Sequence, residues 1–284
     1  MDFIRPTRWT DALEAKAEQR GAVPILGGTD LMVGLNFGEV PPPALLDLTA
    51  IPELSEWQRD DGTIRLGAGV TYSRIIDELG DDCPGLAIAS RTVGSPQIRN
   101  RATVTGNLGT ASPAGDAHPA LLATGAVVEV ASVRGERDID INDFFLGVKR
   151  NALAPDELIR AVRIPARTGP QQFAKVGTRN SMVIAVCSVA VALDPPHRTV
   201  GTGIGSAAPT PRRSPAAEEL AADLPWDGGP LDPDVARRFG EAVASAAAPI
   251  DDVRGTAAYR DQALAVLARR ALTWAWAELS GGER

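Results

Sequence analysis

Two stretches of this 284-residue sequence combine glycines with small hydroxyl residues in a way that could hold an anion. The first is Leu26-Gly27-Gly28-Thr29-Asp30-Leu31, placed directly after the apolar run Val23 to Leu26. Glycines let backbone N–H groups turn towards a ligand, and such a nest suits a pyrophosphate. An ordinary turn between a strand and a loop gives the same pattern. The second runs from Thr103 to Asp116, through Val104, Thr105, Gly106, Asn107, Leu108, Gly109, Thr110, Ala111, Ser112, Pro113, Ala114 and Gly115. Its hydroxyls and amides could bind phosphate oxygens, and Asp116 could accept hydrogen bonds from sugar hydroxyls. A surface loop is the alternative, although unpatterned connections this long are usually functional or disordered. Together the two stretches point to a nucleotide cofactor.

Other motifs fall away. Leu66-Gly67-Ala68-Gly69-Val70-Thr71-Tyr72 begins like a dinucleotide fingerprint, but Tyr72 occupies the third glycine position. Gly201-Thr202-Gly203-Ile204-Gly205-Ser206 also lacks the last glycine, and a strand with crowded backbone is the better reading of both. There is no GxxxxGK[ST] loop, GxSxG elbow or HExxH helix. His118, before Pro119 at a helix start, reads as structural or capping. Cys83 and Cys187 read as small apolar residues, and Trp274 and Trp276 as packing residues.

The elements that must position these loops follow from periodicity and punctuation. A helix capped by Thr10 stops at Gly21, and strands are expected at Val23 to Leu26 and Ala44 to Leu48. Ile64, Leu66, Ala68 and Val70 alternate as a half-buried strand does. Helices follow from Tyr72 to Leu79, with Thr71 as cap, and from Pro84 towards Arg91. Thr92 to Asp116 carries no clear period. Then come a helix (Ala117 to Thr124) and strands at Ala126 to Ala131, Arg137 to Ile141 and Leu158 to Ile164. The composition shifts near Arg167 to Pro170, where a domain boundary is placed. Beyond it, strands Phe173 to Gly177, Val183 to Leu193 and Thr199 to Ser206 precede three helices. These are expected from Ser214-Pro215 to Asp223, Asp234 to Ala247 and Thr256 to Leu279. The last should carry Tyr259, Ala263, Val266, Leu267 and Trp274 along one face.

Composition bounds the chemistry. Hydrophobic content of 44% with 23% charged residues is that of a folded chain, and the length allows two domains. A net charge of −7 argues against a nucleic-acid or anionic-membrane binder. Two distant cysteines and two distant histidines cannot supply an iron–sulfur cluster or a Cys-rich zinc site. The same cysteine usage fits a reducing cytoplasm, and no run reaches membrane-spanning length.

The two loops also carry a resemblance. Leu26 to Leu31, with Val93-Gly94-Ser95-Pro96-Gln97-Ile98-Arg99-Asn100-Arg101-Ala102-Thr103-Val104-Thr105-Gly106-Asn107-Leu108, resembles the FAD-binding subunit of the molybdenum hydroxylases. This is the medium-subunit family of xanthine dehydrogenase and carbon monoxide dehydrogenase. Its pattern is an AGGTDL-like loop, then GS-x-QIRN-x-AT-x-GGN, ending in ASP-x-x-D. Phe144 to Gly147 with Leu153 to Ile159, and Asp251 to Arg260 with Ala268 to Leu272, match two further stretches of the family.

The resemblance implies an α+β chain. A PCMH-type FAD-binding domain of two α/β subdomains would span residues 1–167, divided at about 56/57. A C-terminal α+β domain, a three-stranded sheet plus helices, would span 168–284. By position, Leu26, Gly27, Gly28, Thr29, Asp30 and Leu31, with Thr103, Val104, Gly106 and Asn107, would hold the pyrophosphate of FAD. Thr110 and Ser112 would add hydroxyl contacts, and Asp116 would bind sugar or ribityl hydroxyls. Leu158 and Ile159 would pack on the rings, and Lys175 would lie near the isoalloxazine edge. Thr105 replaces the first glycine of GGN, which requires a backbone free of positive φ there. Electrons would pass from a [2Fe-2S] small subunit through FAD to a terminal acceptor, with molybdopterin on a large subunit. A dimer of heterotrimers in the cytoplasm is expected, without nucleic acid or membrane span. Gln97, Ile98 and Arg99 would help form the face for the iron–sulfur partner. The alternative is a stand-alone flavin oxidoreductase acting on its own small molecule.

Overall fold

The computed structural model describes residues 1–166 and 168–281. Arg167, at the expected domain boundary, lies outside the described residues. The chain begins with β1 (Asp2–Ile4), α1 (Trp9–Glu18), β2 (Val23–Ile25), α2 (Leu31–Asn36) and β3 (Ala44–Asp47). Its three strands form a parallel sheet in the order β1-β3-β2. Trp9, Ala12, Leu46, Leu48, Ile51 and Leu54 fill a small core there. Thr10 is not the cap of α1. Arg8 stands at that position and spends its side chain on Asp11, with Nε 2.9 Å from Oδ2.

The middle of the chain is helix-rich. It comprises β4 (Trp57–Asp60), β5 (Thr63–Gly67), α3 (Tyr72–Glu78), α4 (Pro84–Arg91), α5 (Pro96–Arg99), α6 (Val104–Thr110) and α7 (Ala117–Thr124). It continues with β6 (Val127–Ser132), β7 (Gly135–Asp140), α8 (Ile141–Phe144), a short hairpin of β8 (Phe145–Gly147) and β9 (Arg150–Asn151), and β10 (Leu158–Pro165). An antiparallel sheet runs β4-β5-β10-β6-β7. The alternation read in β5 is real. Ile64 and Leu66 are fully buried, while Arg65 points outward with Nη2 2.6 Å from Glu129 on β6. The stretch expected to be irregular from Thr92 to Asp116 contains α5 and α6, opened by Ser95 and Thr103 as side-chain caps.

The last part is β11 (Gln171–Val176), β12 (Cys187–Asp194) and β13 (Thr199–Gly205), then α9 (Pro215–Glu219), α10 (Pro233–Ser245) and α11 (Ala257–Leu279). These strands form the expected three-stranded sheet, antiparallel in the order β11-β12-β13. It is buried on both faces, which explains its continuous apolar runs. Phe173 and Ala190 join the core of the middle part. Ala174, Val189 and Val191 face α10 and α11. On the first face the contact with α7 is backbone to backbone. A Cβ added at Gly203 would lie 2.0 Å from the Pro119 carbonyl oxygen, and one at Gly201 1.9 Å from that of Ala123. The glycines of this strand therefore serve helix packing, in keeping with the crowded-strand reading.

The buried face of α11 differs from the expected one. The buried residues of α11 are Arg260, Leu264, Ala268, Ala271, Leu272, Ala275 and Trp276. Tyr259 and Trp274 are each 48% exposed. Trp276 packs edge-on against Trp226, with ring centroids 5.2 Å apart, so of the two tryptophans only Trp276 is a packing residue.

Candidate cofactor site

The first loop leaves β2 at Ile25 and enters α2 at Leu31. Gly28 adopts φ +70°, which a glycine takes without strain. Among the described residues, no protein acceptor meets the backbone N–H groups of Leu26 through Leu31. A run of unengaged amides around a left-handed turn is the geometry of an anion nest.

The second loop abuts the first. A Cβ at Gly27 would stand 2.2 Å from the Arg101 carbonyl oxygen, so the two backbones are in contact and alanine does not fit there. Thr110 Oγ1 adds a bond to Asp30 Oδ2 at 3.3 Å. Thr103 caps α6 by accepting from the Gly106 amide at 3.0 Å. Thr105 is 4% exposed, lies inside that helix, and donates to the Ala68 carbonyl at 2.6 Å. It is not among the residues with positive φ, so a threonine here carries no backbone strain. The helix ends at Ala111 in the left-handed region (φ 48°), whose carbonyl accepts from the Lys149 amide at 3.1 Å. Ser112 Oγ accepts from the Ala114 amide at 3.3 Å.

Asp116 opens α7 without capping it. Its Oδ2 lies 2.6 Å from Lys175 Nζ on β11, and Lys175 also donates to the Thr92 carbonyl at 3.1 Å. Burial pushes the Asp116 carboxyl above its ordinary value, and the Lys175 ammonium opposes that shift. Its other oxygen, Oδ1, is buried without a partner, as is Asn107 Oδ1. Beneath them His118 is fully buried, with Nε2 3.2 Å from the Asn107 carbonyl oxygen and its ring 4.6 Å from Phe145. Burial brings its pKa down to about 4, so the imidazole is neutral and supports the loop. Among the described residues, no capping bond runs from it to a helix amide.

Leu158 is 1% exposed in the N-terminal core and Ile159 is 8% exposed in the middle core. Leu26 packs against the first of these cores, and Val104 and Leu108 belong to the second, so each residue shares a core with one of the loops. Arg99 folds back on local carbonyls, with Nη1 3.0 Å from Val93 O and 3.2 Å from Gly94 O, while Gln97 is exposed. Tyr72 escaped the sequence reading. Its hydroxyl is buried without a partner, and its pKa is raised by burial and then by the Asp116 carboxylate. A phenol at the first position of a helix, just after the apolar alternation that ends at Val70, was the available signal. A cavity of about 460 Å³ on the outer face of the five-stranded sheet is a poorer site. Its lining charges are largely paired among themselves, as Arg65 and Arg163 are with Glu129.

The two loops thus form one wall. One end carries free amides, and the other carries buried carboxylate and amide oxygens that lack donors. Leaving such an acceptor unmet costs about 1–3 kcal/mol. The arrangement suits a ligand with an anionic group at one end and hydroxyl donors at the other, which is the chemistry of a pyrophosphate joined to a polyol.

Comparison with known proteins places both parts of the chain in described families. Residues 1–167 match the family described as FAD binding domain in molybdopterin dehydrogenase. Residues 172–275 match the CO dehydrogenase flavoprotein C-terminal domain. The chain is 31% identical over 280 residues to the nicotine 6-hydroxylase medium subunit of Paenarthrobacter nicotinovorans, covering 97% of each chain. It is 34% identical over 244 residues to the caffeine dehydrogenase subunit beta of Pseudomonas sp. (strain CBB1), covering 80% of this chain and 81% of that one. Among solved structures, carbon monoxide dehydrogenase from Hydrogenophaga pseudoflava superposes with a TM-score of 0.90 at 25% identity, covering 98% of both chains.

Proposed function

Since the chain belongs to the family of FAD-binding medium subunits of the molybdenum hydroxylases, which includes those of xanthine and carbon monoxide dehydrogenases, we propose the following division of labour for its residues. It is an FAD-dependent oxidoreductase subunit, and its relatives are medium subunits of multi-subunit enzymes. The amides of Leu26 to Leu31, with those at the start of α6, would hold the pyrophosphate. Thr110 and Ser112 would stand beside it. Asp116 Oδ1 and Asn107 Oδ1 would accept from hydroxyls of the ribityl chain or sugar. Lys175 holds Asp116 in place and balances its charge. When bound, FAD supplies the redox chemistry that couples an iron–sulfur donor to a terminal acceptor. The protein's part is to orient the cofactor, exclude water from its polar edge and fix the local charge. Leu158 and Ile159, each in a core shared with one of the loops, would pack against the rings.

The observation that carries this reading is the contact of Gly27 with Arg101, which fuses an amide nest to a hydroxyl-rich helix start. The [2Fe-2S] small subunit and the molybdopterin large subunit are the partners, assembled as a dimer of heterotrimers in the cytoplasm. Among the described residues no helix is long and apolar enough to cross a membrane, and no group of three potential ligands could hold a metal ion.

The test is an absorption spectrum of the purified chain after reconstitution with FAD, followed by affinity capture from its native host. A flavin band and co-purification of two further subunits are expected. Absence of any bound flavin overturns the cofactor reading. An active enzyme that needs neither partner favours a stand-alone flavin oxidoreductase.

A further inference from the structure

We propose that Arg260 is a positioning residue of the second loop, acting through Ser206 on Pro113. The inference rests on that loop being part of the FAD cradle.

Arg260 lies on α11 and is 2% exposed, a rare state for an arginine unless its charge is paired; its two terminal nitrogens are engaged while Nε has no partner. Asp252 meets the charge, with Nη2 2.6 Å from Oδ1. Neutrality asks for nothing more, yet Nη1 also donates to two carbonyls, those of Ser206 at 2.6 Å and of Val186. Val186 immediately precedes β12 and Ser206 immediately follows β13, so one guanidinium clamps adjacent ends of the sheet.

Ser206 is the informative partner. It adopts φ 59°, the left-handed region that side chains other than glycine seldom enter. Its carbonyl is held by Arg260, and its hydroxyl donates to the Ala185 carbonyl at 2.6 Å. Its amide donates to the Pro113 carbonyl at 2.8 Å. Pro113 sits between Ser112 and Asp116, in the segment that carries the unpartnered carboxylate oxygen. Engagement at all three groups fixes the Ser206 conformation, and that conformation aims its amide out of the sheet at the loop. The path is short and made of direct bonds: Asp252 to Arg260, Arg260 to Ser206, Ser206 to Pro113. Lysine cannot reproduce it, because a single ammonium lacks the planar fork that reaches a carboxylate and two carbonyls together.

The experiment compares three variants of the full chain with the wild type at a temperature well below all their melting points. Arg260→Lys breaks the fork and Ser206→Gly loosens the left-handed residue. Leu272→Val trims a fully buried residue of the same helix that has no link to the loop. The readouts are FAD affinity by flavin fluorescence titration and hydrogen exchange of the Ser206 amide and of residues 112–116. Arg260→Lys is expected to weaken FAD binding by about tenfold, the loss of one charge-assisted hydrogen bond, and to speed exchange at Ser206. Ser206→Gly should move FAD affinity and exchange of residues 112–116 in the same direction by about threefold. Leu272→Val should leave both unchanged. FAD affinity within about twofold of wild type in Arg260→Lys, or an equal loss in Leu272→Val, overturns the proposal. Should Arg260→Lys fail to fold, an unchanged Ser206→Gly overturns it as well. A wild type that binds no FAD defeats the cradle reading alone, and the exchange data then judge the link from Arg260 to Pro113 independently.

Discussion

Lys175 and Asp116 form an ion pair that bridges the two family regions of the chain, with Nζ 2.6 Å from Oδ2 and both side chains at most 11% exposed. The partners are 59 residues apart in sequence and belong to β11 and the N-cap of α7. Burial raises the pKa of this carboxyl and the Lys175 side chain opposes that rise, so the carboxylate depends on its partner.

Lys175→Met should therefore destabilise the chain by about 3–5 kcal/mol in urea unfolding, since it strands a buried carboxylate. The double variant Lys175→Met with Asp116→Leu should recover most of that loss, because it removes both charges. A loss below about 1 kcal/mol for the single variant would mean that water reaches the pair.

Gly27→Ala should separate the loops. Its Cβ would meet the Arg101 carbonyl at 2.2 Å, and backbone cannot yield as a flexible side chain can. The expected result is a stability loss of about 1–3 kcal/mol and FAD affinity lower by at least about tenfold. Gly109→Ala is the control, since nothing lies within 4 Å of its Cβ. In a helix that change should stabilise the chain by roughly 0.5–1 kcal/mol. Calorimetry with flavin titration reads both.

His118 should make the fold acid-sensitive. Its pKa falls from an ordinary 6.5 to about 4 on burial, so the unfolded chain takes up the proton more readily. The stabilising contribution is complete above about pH 6.5 and is lost as pH falls through about 4. It amounts to about 3 kcal/mol in full, of which about 2 kcal/mol is gone at pH 5. Denaturant unfolding of wild type and His118→Gln across pH 7.5 to 5 should show that slope in the first and not in the second.

The two tryptophans of α11 should differ sharply. Trp276, 3% exposed, has its indole N–H 3.1 Å from the Gly229 carbonyl oxygen, and its replacement by alanine should cost about 3–5 kcal/mol. Trp274 is half in solvent, and the same change should cost under about 0.5 kcal/mol. Equal losses would contradict the helix phase seen here.

That phase marks where the sequence stopped being legible. Alanines at 263, 265, 268, 271 and 275 give α11 more than one apolar stripe, and the buried Arg260 interrupts the true one. Its burial is bought by Asp252 and two distant carbonyls, which no periodicity reveals. Helices α5 and α6 hid for a different reason. Glycine, threonine and asparagine have weak helix propensity, so only the caps Ser95 and Thr103 announced them. The loops themselves were readable, because glycine pairs and clustered hydroxyls are local features. Their contact through Gly27 and Arg101, the Lys175–Asp116 pair and the buried Tyr72 hydroxyl are tertiary facts. Strands β5 and β10 and the sheet after residue 170 were readable from alternation and from apolar runs.

The glycines of β13 bear on how such proteins can be recombined. The two family matches adjoin between residues 167 and 172, which looks like a natural place to exchange halves between relatives. Yet α7 of the first half rests on bare backbone at Gly201 and Gly203 of the second, with no side-chain cushion to absorb a mismatch. A chimera joined at that boundary inherits a helix and a strand shaped against other partners. Successful crossovers should keep α7 and β13 from one parent, so the unit of inheritance here is a packing contact rather than a contiguous stretch of chain.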